Sequence, residues 1–327
     1  MDTPVPARRP LPLVAVAAAL LLLVAAVVTA LAPRASAADL TPVSDFGEDP
    51  GSLSLYTYVP DGLSEGAPLV VLLHGCSQDA ESYHAHSGWA ELAEETGFAL
   101  AYPEQNSSNN LQACFNWFEP GDTARDSGEA ASVRSMVDHT VETHGLDAGQ
   151  VFVSGLSAGG AMAGELLAAY PDVFAGGDVV AGLPAGCAES LVDATTCMNS
   201  GKDRTPEQWG DEVRAKYDGD ASWPRVAVWH GSSDTTVVPA NGDASVDQWT
   251  DVHGLSGDPD ETAELPGGTT AEYHGGGAED ATVAHFAVEG LGHGTPVAPA
   301  EGCGTAGPFF LDSVCASAYT AQFWGIA

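Results

Sequence analysis

From residue 53 onward, short apolar runs alternate with longer amphipathic stretches. Residues 53–59 alternate apolar and polar side chains and stop at Pro60, the pattern of an edge strand. Leu69-Val70-Val71-Leu72-Leu73 is apolar at every position and ends at His74-Gly75, so both of its faces should be covered, as in a central parallel strand. Residues 98–102, 151–153, 226–229 and 283–288 are four further expected strands. Between them, residues 89–95, 129–143 and 158–169 form amphipathic stretches expected to be helices. Such an alternation predicts an α/β domain with a mostly parallel, doubly wound sheet covered by helices on both faces. Residues 39–51 read as a short polar lead. Residues 254–277, rich in Gly, Asp and Thr and without a period, read as a surface excursion. No long linker or internal repeat interrupts the pattern, so a single domain over residues 38–327 is expected.

The N-terminus carries a different signal. Arg8 and Arg9 precede a long apolar run over residues 11–32, and Ala35-Ser36-Ala37 has the small-x-small form of a signal peptidase site. Residues 1–37 are therefore expected to be a secretory signal peptide, with an uncleaved membrane anchor as the alternative, since the run is long enough to cross a bilayer. No later segment is that apolar, so an extracellular protein with no stable membrane association after cleavage is expected.

Composition narrows the function classes. Hydrophobic residues make up 44% of the chain, too many for a disordered acidic protein. Ten Lys and Arg stand against 45 Asp and Glu, a net charge of −35, which disfavours nucleic acid and anionic lipid as partners. The lysines are Lys202 and Lys216, so no basic patch hides in the average. Adaptation to high salt and simple solubility both account for this acidity. Six cysteines, Cys76, Cys114, Cys187, Cys197, Cys303 and Cys315, form an even set in an exported chain and favour disulfides; the absence of CxxC argues against zinc. Pairing of sequence neighbours, Cys76 with Cys114, Cys187 with Cys197 and Cys303 with Cys315, is preferred, because the last two pairs each enclose a short Gly-rich or polar segment.

The candidate chemistry centres on Gly155-Leu156-Ser157-Ala158-Gly159. G-x-S-x-G alone is weak evidence in a chain with 38 glycines, but here a short apolar strand enters it and an Ala-rich helix leaves it, the setting of a nucleophile elbow. A serine hydroxyl needs a base to accept its proton and a carboxylate to orient that base. Elbow proteins supply them in the order Ser, Asp, His. Residues 226–229, the next strand after the elbow that looks central, open into His230-Gly231-Ser232-Ser233-Asp234, which makes Asp234 the candidate acid, with Asp243 and Asp247 as rivals. The last expected strand opens into Gly290-Leu291-Gly292-His293-Gly294, and His293 is the candidate base. The amides of Ala158, after the nucleophile, and of Cys76, on the loop after the early central strand, are the candidate oxyanion donors.

Further segments carry a family resemblance. Leu73-His74-Gly75-Cys76-Ser77-Gln78, Tyr102-Pro103-Glu104-Gln105, Cys114-Phe115-Asn116-Trp117-Phe118, the elbow, Tyr170-Pro171-Asp172-Val173-Phe174, Ala181-Gly182-Leu183-Pro184, Gln248-Trp249-Thr250, Gly292-His293-Gly294-Thr295-Pro296-Val297 and Phe323-Trp324-Gly325 resemble, in this order, the secreted polyhydroxybutyrate depolymerase esterases, whose relatives include feruloyl and acetylxylan esterases. The resemblance implies an α/β-hydrolase fold and a serine esterase with nucleophile Ser157, acid Asp234, base His293 and oxyanion amides Cys76 and Ala158. It also implies that Trp117 lies beside the substrate groove, the alternative being a core aromatic. A polyester of 3-hydroxybutyrate is the implied substrate, with no metal or organic cofactor. The chain stops at Ala327 after its last expected helix, so no separate polymer-binding module is expected, and the protein is expected to act as a monomer. A non-catalytic polymer-binding protein on a hydrolase scaffold is the rival from another class.

Overall fold

The computed structural model describes residues 40–327; the expected signal peptide lies outside the described residues. Ten strands form one sheet: β1 (Thr41–Val43), β2 (Ser54–Tyr58), β3 (Leu69–Leu73), β4 (Ala99–Glu104), β5 (Val151–Leu156), β6 (Gly176–Val180), β7 (Arg225–Gly231), β8 (Glu261–Leu265), β9 (Thr269–His274) and β10 (Val283–Val288). Their order across the sheet is β1-β2-β4-β3-β5-β6-β7-β10-β9-β8. The middle six, from β4 to β10, run parallel, and antiparallel pairs close both edges. A second, small sheet pairs β11 (Thr295–Val297) with β12 (Phe310–Asp312).

The helices are α1 (Ala80–His86), α2 (Trp89–Thr96), α3 (Pro120–Thr123), α4 (Gly128–His144), α5 (Ala158–Ala169), α6 (Leu191–Ser200), α7 (Pro206–Arg214), α8 (Ala240–Val252) and α9 (Ala316–Trp324). Alternation along β3 explains why both faces are covered. Leu69, Val71 and Leu73 pack in one apolar cluster with Val133 and Met136 of α4, Met162 of α5, Trp209 of α7 and Trp249 of α8. Val70 and Leu72 belong to the opposite cluster, with Tyr83 of α1, Trp89 of α2 and Trp324 of α9. The doubly wound parallel sheet expected from the sequence is the observed architecture.

Four expectations need correction. Residues 53–59 do not form the edge, because β1, within the segment read as a polar lead, pairs outside β2. Residues 254–277 are more than a surface excursion: they contain the β8–β9 hairpin, which extends the sheet beyond β10. Its signal was weak because β8 is a largely exposed edge strand with sequence ETAEL. The strand after the elbow is β6, not β7. Its sequence, GGDVV, lacks an apolar start because helices press on it: a Cβ on Gly177 would lie 2.4 Å from the Leu167 side chain of α5, and one on Gly176 would lie 3.1 Å from Trp324. Finally, several helices, α6 and α8 among them, went unread.

Candidate active site

The turn from β5 into α5 sets Ser157 at φ 57° and ψ −116°, a left-handed conformation that costs a non-glycine residue energy. Two glycines make the turn possible. A Cβ on Gly155 would lie 2.3 Å from the Gly159 carbonyl oxygen, and one on Gly159 would lie 2.3 Å from that of Leu73. The helix is thus packed against the strand ends with no room for a side chain. The Ser157 amide donates to Val180 O at 2.9 Å, tying the turn to β6.

The carboxyl end of β7 delivers Asp234, and the loop after β10 delivers His293. These strands are parallel neighbours, so their end loops meet in front of the elbow. Asp234 Oδ1 accepts the amides of Thr236 (2.8 Å) and Val237 (2.9 Å), while its Oδ2 lies 2.7 Å from His293 Nδ1. His293 Nε2 is 2.9 Å from Ser157 Oγ. A carboxylate can only accept, so the ring proton sits on Nδ1 and Nε2 is left to accept from the serine hydroxyl. Burial pushes the Asp234 carboxyl upward, but the His293 contact and the two amides outweigh it and hold it below its ordinary value. Asp243 and Asp247, the rival acids, lie on α8, and neither bonds to His293.

Around the loop after β3, Gly75 N donates to Gln78 Oε1 and Ser77 N donates to Gln112 O. Among the described residues, the amides of Cys76 and Ala158 have no acceptor, and both residues line the space in front of Ser157. Cys76 is bonded to Cys114, and the other disulfides are Cys187–Cys197 and Cys303–Cys315, the pairing expected from the sequence.

Sequence reading gave His74 little weight, yet it fixes this loop. Its Nδ1 donates to Gly75 O at 2.8 Å and its Nε2 accepts from Gln105 N at 3.0 Å, with burial lowering its pKa and favouring the neutral ring that this pattern needs. Glu129 was missed altogether. It is buried on α4 and accepts from the Asn116 amide (2.9 Å), Asn116 Nδ2 (2.7 Å) and Gln105 Nε2, holding the Cys114-Phe115-Asn116-Trp117 segment in place. A buried acid within a helical pattern was the available signal.

A cavity of about 690 Å³ opens beside Ser157, walled by Trp117 and Leu111 on one side and by Leu191 and Met198 of α6 on the other. Trp117 is only 3% exposed, so it is a core aromatic and a cavity wall together. A smaller cavity of about 170 Å³ adjoins it, with His293, Thr236 and Phe309 in its lining. The residues of α6, Val237 and Phe309 carry no motif and could be placed here only by the fold.

The geometry is that of an acyl-transfer site, and comparison with known proteins agrees. The model of the family described as esterase PHB depolymerase matches residues 52–273. The chain belongs to this family. Over 310 residues, 93% of this chain and 74% of the relative, it is 46% identical to poly(3-hydroxyalkanoate) depolymerase C of Paucimonas lemoignei. It is 33% identical to feruloyl esterase B of Thermothelomyces thermophilus over 82% of this chain and 92% of that one. Among solved structures, the acetyl xylan esterase from Aspergillus awamori superposes with a TM-score of 0.75 at 27% identity, covering 88% of this chain and all of the other (100%). The α/β-hydrolase fold and the carboxylic ester hydrolase class expected from the sequence are those of the PHB depolymerase family.

Proposed function

We propose that this family member is a secreted serine esterase that cleaves 3-hydroxybutyrate esters, with Ser157 as nucleophile, His293 as general base and acid, and Asp234 as the residue that orients the imidazole. Ser157 Oγ attacks the ester carbonyl while His293 Nε2 takes its proton, and the Cys76 and Ala158 amides receive the charge that develops on the carbonyl oxygen. Collapse of the tetrahedral intermediate releases the alcohol, protonated by His293. Water deprotonated by the same nitrogen then attacks the acyl-enzyme, and the acid leaves with Ser157 restored. The hydrogen-bonded chain from Asp234 through His293 to Ser157 supports the mechanism.

For the substrate, the 46% identity to the depolymerase, against 33% to the feruloyl esterase, supports the polyester. A neutral polyester also brings no charge to a protein of net charge −35, whereas a uronate-bearing polysaccharide would be repelled at low salt. The superposition with the acetyl xylan esterase, over 88% of this chain, favours a second reading, cleavage of acyl groups from plant polysaccharide. A side-by-side measurement of kcat/KM on 3-hydroxybutyrate trimer, methyl ferulate and acetylated xylan, at low and high salt, separates them. The trimer is expected to be the best substrate at both salt levels; a clear preference for ferulate or acetylxylan contradicts the polyester reading and leaves the serine mechanism standing.

A further inference from the structure

Glu129 is a buried acid, 1% exposed, that takes no part in the triad. It stands in the first turn of α4, whose Val133 and Met136 lie in the core, and a Cβ on Gly51 would lie 2.5 Å from its Cα. Its own amide donates to Asp122 Oδ1 at 3.2 Å. The side chain is thus mounted on a helix that has no room to shift. Three N–H groups converge on its carboxyl: Asn116 N donates to Oε2 at 2.9 Å, and Asn116 Nδ2 (2.7 Å) and Gln105 Nε2 donate to Oε1. A buried carboxyl that gathers donors from two separate loops ties those loops together.

These bonds close a ring around the Cys76 amide. On one side, Gln105 N donates to His74 Nε2 at 3.0 Å, and His74 Nδ1 donates to Gly75 O at 2.8 Å. That carbonyl belongs to the same planar peptide as the Cys76 N–H, so holding the oxygen fixes the direction of the donor. On the other side, Asn116 lies two residues after Cys114, which is bonded to Cys76. The His74 ring packs on Phe115 with centroids 5.0 Å apart and braces the ring across its middle. The neighbouring amides are occupied, Gly75 N by Gln78 Oε1 (2.7 Å) and Ser77 N by Gln112 O (2.6 Å). Ser77 and Ala113, each beside a bridged cysteine, sit at φ 60° and 48°, conformations that persist only where the surroundings over-determine them.

We propose that Glu129 is a positioning residue for ester cleavage, which aims the Cys76 amide at the carbonyl oxygen through Gln105, His74 and the Gly75 carbonyl. This rests on the serine mechanism above and deepens it from the oxyanion donor to the group that holds the donor. A preorganised donor stabilises the developing charge because it does not reorient during the reaction, so a donor on a loop depends on its support. The disulfide fixes the Cys76 side chain, whereas the path from Glu129 fixes the peptide plane.

The test is Glu129→Gln, which keeps the shape but replaces one accepting oxygen by a nitrogen that can only donate. Burial, with Asp122 beside it, pushes the Glu129 carboxyl up to about 8, so a neutral amide changes little charge at pH 7 and the variant probes the donor pattern. On a p-nitrophenyl ester, kcat is expected to fall about 10-fold while KM stays within about 2-fold, because the amide acts on the transition state. Rates are counted per serine titrated by a fluorophosphonate, and nearly every serine is expected to react. An unchanged kcat per titrated serine, or a loss fully matched by a smaller titratable fraction, overturns the proposal. Glu129→Gln combined with Cys114→Ser should lose less than the product of the two single losses, since both act on one amide; a full product contradicts it. If Glu129→Gln does not fold, Gln105→Met, which removes one donor to Glu129, is read in the same way. Ser157→Ala separates the two levels: turnover by that variant removes the serine mechanism, while its inactivity beside an unchanged Glu129→Gln removes only the positioning role.

Discussion

Asp234 and Asp178 show what opposite surroundings do to one kind of side chain. Asp234 is held ionised by two amides and His293, whereas Asp178, buried in β6, receives only the hydroxyls of Ser154 (3.0 Å) and Thr320 (3.4 Å), and its Oδ1 has no partner. Burial pushes its carboxyl from the ordinary 3.8 up to about 7. The folded protein then keeps a proton that the unfolded chain has lost between these values, so unfolding is favoured as pH rises through that window, by about 1.4 kcal/mol per pH unit at most. Asp178→Asn should remove this slope: the variant should gain melting temperature over the parent at pH 7 to 8 and match it near pH 4. A difference that is the same at both pH values would contradict the assignment. For the site itself, Ser157→Ala and His293→Ala should each abolish nearly all turnover of a short p-nitrophenyl ester, and Asp234→Asn should leave a small residue, with folding intact in all three. Near-normal activity in Asp234→Asn together with loss in Asp243→Asn would move the acid to α8. These three positions were legible because strand ends, glycines and chain order point to them. The supporting roles of His74 and Glu129 were not, although His74 stands in a segment that carries the resemblance, because a hydrogen bond that holds backbone adds no residue pattern of its own.

At the scale of elements, the elbow is a contact between backbones with no room for a side chain. A methyl group on Gly159 would meet the carbonyl of Leu73 at 2.3 Å, and neither the strand nor the helix can yield without moving Ser157. Gly159→Ala should therefore cost about 3 kcal/mol or more and lower the melting temperature, while Gly290→Ala, in open space on a loop at φ 73°, should cost far less. Equal losses would mean that the contact is softer than described. The Cys76–Cys114 bridge closes a separation of 38 residues and should contribute about 4 kcal/mol by chain entropy. Because it also anchors an amide facing Ser157, Cys114→Ser should lower kcat more than Cys315→Ser does, measured on the p-nitrophenyl ester. What the sequence concealed at this scale has a common cause. The strands β6 and β8 are strands because of their neighbours: one is squeezed into glycine by two helices, and the other is a polar edge completed by pairing with β9.

The whole molecule sets a largely buried reaction site within a strongly acidic chain. Both lysines are committed to ion pairs, Lys202 with Asp193 at 2.8 Å and Lys216 with the buried Glu165 at 2.7 Å, so they leave most of the acidic excess uncompensated. Self-repulsion should be large at low ionic strength and screened within about 8 Å at 0.15 M salt. Melting temperature is thus expected to rise by about 5 °C or more between low salt and molar NaCl, and a flat or falling curve would limit the acidity to solubility. The parallel architecture was readable at this scale because residues 69–73 are apolar at every position and allow no solvent face. The cavities were not, since their walls come from α6, the loop after β4 and the loop before β12, which only the folded chain brings together. The claim that unites these scales is that one serine, strained into place at the elbow, does the chemistry. Labelling with a fluorophosphonate probe followed by peptide mapping tests it most directly: the account predicts a single modified peptide with the label on Ser157 and none in the His293→Ala protein over the same time, and a label on another residue, or an unlabelled wild-type protein, would contradict it.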